Sequence, residues 1–292
     1  MIRSQLANGR LVRVAQGVFL AAASWPVEPS AQFVVRAHAE QARHPESVIS
    51  HASAAAIWEL PRPGFGSWHD DRVSLTLASG SRPHRPGAVH HLGALPAAQV
   101  GRDPAGYQVT TPARTAVDLA VGLQLPQALV LLDAAARLAC SGFVSQPRRR
   151  DFNNPALVKA ARELLLDAAE AVRRPSLGPA ISLAEPGRES PIESLSAGHF
   201  ELAGLPRPLF QEPVRTRLGV FYPDCLWPDQ RLIGEADGAE KYKTPAASVA
   251  EKEREQALRD QEWRFVRWLG KEIMTCPQVV VDRVSRKLAV RF

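Results

Sequence analysis

Apolar and polar residues follow a clear periodicity in the second half of the chain. Residues 189–203 repeat apolar positions at helical spacing, and residues 208–214 have the composition of a first strand. Residues 219–227 and 231–233 are apolar runs on either side of the turn sequence Pro228-Asp229-Gln230. This arrangement predicts a β-hairpin that follows a helix and a strand.

Beyond the hairpin, residues 246–261 form a charged stretch with helical spacing. Residues 263–268 are rich in aromatic side chains and predict a further strand, and Thr275-Cys276-Pro277 opens a terminal helix. The predicted order of elements is therefore helix, three strands, helix, strand and helix.

The first half of the chain predicts a different, α+β arrangement. A short helix ends at Ala7, and residues 9–19 then alternate and turn at Gly17 in the manner of a β-wing. We expect Arg10 and Arg13 to lie on one face of that wing, where they would follow a DNA backbone.

Three further elements are predicted in this half. Ser50 begins a helix, residues 73–77 form a strand, and Thr111 caps another helix. Ser50, Ser53, His51 and Asp118 could also be combined into a hydrolytic set. No Gly-x-Ser-x-Gly elbow accompanies them, so helix capping is the simpler prediction for Ser50.

Two stretches interrupt the periodic pattern, at residues 141–154 and at residues 175–188, which are rich in Pro, Gly and Ser. Between them, residues 155–172 predict a helix capped by Asn153 or Asn154. The predicted domains are an α+β module at 1–145 with a partial winged-helix start, a helical linker region at 146–188 and a C-terminal domain at 189–292.

The C-terminal domain carries a group of acidic residues on the predicted hairpin. Asp224 and Glu235 lie on adjacent strands, and Asp237 shares a face with Glu235 because strand side chains alternate. Three crowded carboxylates are costly unless a proton or cation intervenes, which favours Mg²⁺ (or Mn²⁺) bound by all three. The alternative stays open that these are ordinary turn and strand-face acids.

The order of elements and the acidic positions resemble the PD-(D/E)XK nuclease superfamily, in its very-short-patch-repair-like branch. The resemblance implies a restriction-endonuclease-like α/β domain with a mixed central sheet and metal-dependent cleavage of DNA. It covers residues 189–292 and rests on Glu193 within Glu189-Ser190-Pro191-Ile192-Glu193-Ser194, Pro223-Asp224, Glu235-Ala236-Asp237-Gly238, Lys241-Tyr242, Arg254, Arg259-Asp260 and Trp263.

One position departs from that family, which has Lys two residues after the Glu where this chain has Asp237. A cation there orients the attacking water, so Lys241 is the expected catalytic substitute and Lys243 the second choice. Both lysines could instead solvate a loop. Glu193 lies either at the edge of the metal site or on a helix surface. Lys243, Arg254 and Arg259 are the expected phosphate contacts.

The N-terminal half resembles the antitoxins of abortive-infection type IV toxin-antitoxin systems, which are winged-helix regulators. The resemblance rests on Leu11-Val12-Arg13-Val14 with Gly17-Val18-Phe19, on residues 50–56 and on residues 111–120. Only eight residues precede Gly9, so the winged helix is partial, and major-groove reading by this half is not expected unless the true start codon lies upstream. The implied partners are DNA and a toxin or other protein.

Composition adds a charge asymmetry. Residues 1–150 hold 15 Arg, no Lys and 9 acids, whereas residues 151–292 hold 21 basic and 21 acidic side chains, so the net charge of +6 lies in the first half. A polyanionic partner fits this surplus, as does an ordinary basic surface. Three scattered Cys predict neither disulfides nor a zinc cluster. The absence of a long apolar stretch predicts a cytoplasmic protein without a membrane partner.

Together these patterns predict an α+β N-terminal module with a helical extension, followed by an α/β domain. The predicted function is that of a metal-dependent DNA endonuclease in which Asp224, Glu235 and Asp237 bind the ion and Lys241 positions water. The alternative is a non-catalytic DNA-binding regulator or antitoxin with a degenerate nuclease fold.

Overall fold

The computed structural model describes residues 2–80, 87–145, 149–237 and 245–289, with the side chains at 149–150 and 245–248 left aside. The described residues form a mixed α/β protein, and the predicted fold class is confirmed: an α+β module and an α/β unit with a mixed sheet. No helix within these ranges is both long and apolar enough to cross a bilayer.

The helices and strands are numbered in chain order. The described helices are α1 (Ile2–Ala7), α2 (Pro29–Arg43), α3 (His51–Ile57), α4 (Pro112–Ala120), α5 (Leu125–Cys140), α6 (Pro155–Ala171), α7 (Gly178–Ser182), α8 (Pro191–Leu202), α9 (Pro245–Arg259), α10 (Gly270–Thr275) and α11 (Pro277–Leu288). The described strands are β1 (Leu11–Ala15), β2 (Val18–Ala21), β3 (Val48–Ile49), β4 (Val73–Leu77), β5 (Ala88–Leu92), β6 (Val100–Arg102), β7 (Gln108–Thr110), β8 (Val214–Thr216), β9 (Gly219–Phe221), β10 (Cys225–Trp227), β11 (Leu232–Asp237) and β12 (Arg264–Leu269).

Contacts group the chain into two compact units. The first comprises Met1–Gly122 and Glu163–Ser182, and the second comprises Leu123–Arg162 and Leu183–Phe292. The region predicted as a linker is therefore divided between them.

The first unit is built on a mixed sheet with strand order β5-β4-β3-β7-β6. Strands β4 and β5 are parallel, as are β3 and β7, while β3–β4 and β6–β7 are antiparallel. Phe33 of α2, Ile49, Leu75 and Val109 form the centre of its core, and each is almost completely buried. Burial of these apolar side chains is the main force that holds α2 and α3 against the sheet.

The β-hairpin predicted at residues 9–19 is present as an antiparallel ribbon of β1 and β2, and its role as a wing stays a prediction. Gly17 turns it with a φ of 79°, in the left-handed region that glycine adopts without a steric penalty. Arg10 and Arg13 are both exposed. Because positions three apart on a strand point to opposite faces, and β1 begins at Leu11, the ribbon does not favour the shared face predicted for the two arginines.

Of the two helix caps predicted in this unit, the structure bears out the cap at Thr111 but not the cap at Ser50. Thr111 caps α4 as predicted, since its hydroxyl accepts a hydrogen bond of 3.3 Å from the backbone N–H of Arg114. Ser50 precedes α3 as predicted, but its side chain makes no capping bond and the capping prediction is wrong. The Ser50 hydroxyl instead accepts a 2.7 Å hydrogen bond from Thr76 Oγ1.

The second unit contains a three-stranded mixed sheet in the order β10-β11-β12. Strands β10 and β11 form the predicted antiparallel hairpin, and β12 returns parallel to β11 after helix α9. Trp227 and Trp268 are almost fully buried beside Phe200 of α8. Each indole N–H is satisfied, by Pro206 O at 2.7 Å and by Ser196 Oγ at 2.9 Å.

Helix α5 belongs to this second unit because it packs closely on α8. A Cβ added at Gly198 would lie 2.4 Å from the Cα of Pro126, so only glycine permits this approach. A buried ion pair also joins α5 to the segment before α8, with Arg188 Nε 2.6 Å from Asp133 Oδ2. The helix predicted within 189–203 is confirmed as α8, and Ser190 caps it.

Two strand predictions are wrong in the segment before the hairpin. Residues 208–214 are not a strand, since β8 begins only at Val214 and Leu209 makes a single isolated bridge to Leu226. Pro208 and Pro213 lack the N–H that a sheet ladder requires, and Gln211 is left-handed with a φ of 51°.

The run 219–227 is also divided. It forms β9, which pairs with β8, and β10, which pairs with β11, with a break at residues 222–224. Asp224 therefore lies immediately before the start of β10 instead of inside a continuous strand.

Candidate functional site

Asp224 and Glu235 meet at the hairpin of β10 and β11. The register pairs Cys225 with Gly234, which places Asp224 at the level of Glu235. Asp224 Oδ2 accepts a hydrogen bond of 2.8 Å from the backbone N–H of Ala236. The fixed register of a short hairpin thus holds this carboxylate beside the acidic strand, as the alternation of the sequence predicts.

Glu193 reaches the same place from helix α8. Its carboxylate accepts hydrogen bonds from Ser190 Oγ at 2.8 Å and from the backbone N–H of Glu189 at 3.1 Å. The Ser190 hydroxyl also accepts a hydrogen bond of 3.3 Å from the Glu193 N–H, so it caps α8 and binds the Glu193 side chain at once. Only 4% of Glu193 is exposed, so the alternative of a surface helix acid is wrong.

The charge of Asp224 affects the protonation of Glu193. Burial and, after it, the neighbouring charge of Asp224 raise the pKa of the Glu193 carboxyl to about 7. Burial is also the first cause that raises the pKa of the Cys225 thiol, and Asp224, Glu193 and Glu235 each add to it. The charges of three carboxylates from separate elements therefore act on the Cys225 side chain.

Gln211 joins two of these acids and is a residue that sequence reasoning missed. Its Nε2 donates to Glu193 Oε2 and to Asp224 Oδ1, each at 3.3 Å. The side chain is 2% exposed, and its Oε1 is buried without a hydrogen-bond partner in the described chain. A polar residue between Pro208 and Pro213 was the available signal, because such a segment cannot be an ordinary strand.

Glu235 is buried and carries its own counterion. Arg254 Nη2 lies 3.2 Å from Glu235 Oε1 and 2.6 Å from Glu251 Oε1. Burial opposes the positive charge of Arg254, but the hydrogen bond to Glu251 and the charges of Glu235 and Glu251 raise its pKa above the ordinary value. Arg254, which the sequence analysis predicts to contact phosphate, is thus paired with acidic side chains.

Asp237 ends β11 on the same face as Glu235, beside Arg267 of β12. Burial opposes the charge of Arg267, yet a hydrogen bond to Glu255 and the charges of Asp237 and Glu235 raise its pKa. Sequence reasoning missed Arg267, although an arginine inside the aromatic run 263–268 was a visible signal.

The structure does not place the other predicted site residues in the acidic cluster. Arg259 is exposed on α9 and pairs with Glu255 at 2.6 Å, one turn away. Arg10 and Arg13 belong to the first unit. Lys241 and Lys243 lie outside the described residues, so their predicted roles stay predictions.

The donor chemistry of the cluster suits a hard cation. Carboxylate oxygens of Glu193, Asp224 and Glu235 are accompanied by the unpartnered amide oxygen of Gln211, and Mg²⁺ prefers such an all-oxygen set. Nowhere in the described ranges do three or more His, Cys, Asp or Glu side chains form a ready arrangement for a metal ion. The predicted Mg²⁺ (or Mn²⁺) therefore remains a prediction that the residue types fit.

Comparison with known proteins finds relatives that are described as uncharacterized. No protein family matches the chain. The uncharacterized proteins MT2308 and Rv2248, from two strains of Mycobacterium tuberculosis, are each 30% identical to it over 185 residues. The alignment covers 63% of this chain and 62% of the length of each relative.

Proposed function

We propose that the second unit is a metal-dependent DNA endonuclease that hydrolyses phosphodiester bonds. The observation that carries the proposal is the meeting of Glu193, Asp224 and Glu235, with Gln211 bridging the first two. The resemblance of residues 189–292 to PD-(D/E)XK nucleases also supports it, through the order of elements and through these same acids. Mg²⁺ (or Mn²⁺) bound by Asp224, Glu235 and Asp237 would lower the pKa of a water and stabilise charge on the phosphate.

The side chains around the proposed metal ligands have distinct tasks. Gln211 and the Ala236 N–H fix the orientation of the Asp224 carboxylate. Glu193, with a pKa of about 7, can hold or release a proton on its carboxyl oxygen near neutral pH. Lys241 is the proposed group that orients the attacking water.

Two arginines supply positive charge to the same site. Arg254 and Arg267 lie beside Glu235 and Asp237, and guanidinium groups bind phosphate oxygens with two parallel hydrogen bonds. Phosphate binding by them requires release of their present carboxylate partners, Glu235 and Glu251 for Arg254 and Glu251 and Glu255 for Arg267. Of these partners, only Glu235 is a proposed metal ligand.

The direct test is nicking of supercoiled plasmid in the presence of Mg²⁺ or Mn²⁺. The Asp224→Asn variant keeps the size of the side chain and removes its charge, so we expect at least about a 100-fold loss of rate. The matched control is Asp229→Asn, an exposed acid in the turn of the same hairpin, which we expect to be neutral. Equal nicking by Asp224→Asn, or no nicking by the wild type, contradicts the proposal.

A second candidate is a non-catalytic DNA-binding regulator or antitoxin on a degenerate nuclease fold. Two observations favour it: Asp237 stands where the family has Lys, and Arg254 already neutralises Glu235. It requires DNA retention without cleavage, with an affinity that falls steeply with salt and that depends on Arg10 and Arg13. A toxin or other protein partner belongs to this candidate. A gel-shift titration at two salt concentrations separates it from the nuclease.

A further inference from the structure

The first unit contains a cavity of about 460 Å³ that the nuclease proposal does not use. Helices α3, α4 and α6, the end of β5 and the residues that follow it contribute its lining. The size lies within the usual range of small-molecule sites. The side chains that give it chemical character are His51, His91, Arg114, Asp118, Arg173 and Arg174.

Arg114 provides a buried donor beside this cavity. The side chain is 2% exposed, and its Nε donates to both oxygens of Asp118 at 3.0 Å. Its Nη1 donates to Ala94 O at 2.7 Å and to Gln99 Oε1 at 2.8 Å. Its Nη2 has no acceptor within the described ranges and lies 3.5 Å from where a Cβ of Gly93, another lining residue, would be. This N–H edge of Arg114 therefore borders the cavity and can donate to an anionic acceptor placed there.

The balance of charge around the cavity is positive. Asp118 neutralises Arg114, and Asp118 is the one acid among the described lining residues. Arg173 and Arg174 add two exposed guanidiniums, neither of which forms an ion pair with another described residue. Burial, and then the charge of Arg114, lowers the pKa of His51 to about 4, so this ring is neutral at pH 7.

A pair of stacked imidazoles forms a flat part of the lining. The rings of His51 and His91 lie 3.6 Å apart at an angle of 11°. His51 has a φ of 47°, and its Nδ1 is 3.0 Å from the hydroxyl of Ser50, which in turn accepts from Thr76. The ring is thus fixed before any ligand arrives, and a planar ligand ring can pack on such a surface.

We propose that this cavity binds a small phosphate monoester that carries a planar ring, of the size of a nucleoside monophosphate. The phosphate is received by Arg114 Nη2 and by Arg173 and Arg174, and the ring packs on the imidazole surface. The proposal is independent of the nuclease, because every residue involved lies in the first unit.

The test is isothermal titration of the full chain with adenosine 5′-monophosphate and uridine 5′-monophosphate. We expect saturable binding to at least one of them. Inorganic phosphate lacks the ring and adenosine lacks the phosphate. Each should bind at least about tenfold more weakly than the nucleotide. Nicotinate offers a ring with a carboxylate, and tighter binding of nicotinate than of both nucleotides would overturn the assignment of a phosphate.

Substitutions test whether the nucleotide binds in this cavity. The double change Arg173→Asn with Arg174→Gln removes the two exposed charges, and asparagine tolerates the left-handed backbone at position 173, where φ is 54°. We expect at least about a tenfold rise in Kd. The control is Arg102→Ala, an exposed arginine of the same unit outside the cavity. Absence of saturable binding to both nucleotides, or an equal Kd in the double variant, overturns the proposal, and circular dichroism verifies the fold of each variant.

Discussion

The acidic cluster of the second unit and the cavity of the first both contain an arginine paired with a carboxylate, yet they have opposite chemistry. In the cluster, Arg254 pairs with Glu235 and the amide oxygen of Gln211 is left without a donor. In the cavity, Arg114 pairs with Asp118 and its Nη2 is left without an acceptor in the described chain.

The difference shows that an ion pair does not by itself define what a site binds. The polar atom that remains after internal pairing indicates which ligand a site suits, because it is the atom still able to form a hydrogen bond or a coordination bond. A lone oxygen among carboxylates favours a cation, whereas a lone guanidinium edge with two further arginines favours an anion.

The largest effect is expected at the acidic cluster. Glu235→Gln keeps the shape of the buried side chain and removes its charge, so we expect cleavage to fall by about 100-fold to 1,000-fold. Plasmid nicking rates measure it, with Glu201→Gln, a surface acid of α8 paired with Arg207, as the control. A rate within about threefold of wild type would remove Glu235 from the proposed site.

The next effect concerns the neutral histidine of the cavity. The folded pKa of His51 is about 4, below its ordinary value of 6.5, so the unfolded chain binds the extra proton as the pH falls. This contribution to the free energy of unfolding is complete above pH 6.5 and decreases by about 3 kcal/mol as the pH falls to 4.

Urea unfolding at several pH values measures that contribution. In His51→Gln the additional loss between pH 6.5 and pH 4 should be absent, whereas His69→Gln, at a partly exposed histidine of the same unit, should keep it. An unchanged slope in His51→Gln would mean that the ring is solvated and that the cavity is more open than described.

A smaller effect is expected beneath the acidic hairpin. A Cβ at Gly234 would lie 2.9 Å from ring atoms of both Trp227 and Trp268, so Gly234→Ala should lower the free energy of unfolding by about 2 kcal/mol. Gly142→Ala, where a Cβ meets nothing within 4 Å, is the control. Thermal unfolding with equal Tm for both variants would contradict this packing.

The smallest effect tests the bridging amide. Gln211→Leu keeps most of the volume and removes both hydrogen bonds and the lone oxygen, so we expect about a tenfold rise in the Mg²⁺ concentration that gives half-maximal cleavage. Gln256→Leu, at an exposed glutamine of α9, is the control. A lower maximal rate at an unchanged Mg²⁺ requirement would give Gln211 a purely structural role.

Predictions succeeded where the determining interactions are close in sequence. The hairpin of β10 and β11 follows from one turn, and its register brings Asp224 to Glu235. Thr111 caps α4 through a bond three residues away. The strand predicted at 208–214 failed because composition alone does not show the left-handed conformation of Gln211.

The amino-acid sequence by itself determined the mixed α/β class, the wing and the acidic hairpin, because alternation and turn residues act over a few positions. Only the tertiary structure decided that Glu193 is buried near Asp224, that Gln211 bridges them, and that parallel pairing sets Arg267 opposite Glu235. Only the tertiary structure likewise assembled a cavity from His51, Arg114 and Arg174. Such contacts depend on packing between residues that are distant in sequence. The local periodicity of a sequence does not show which distant side chains are buried against one another.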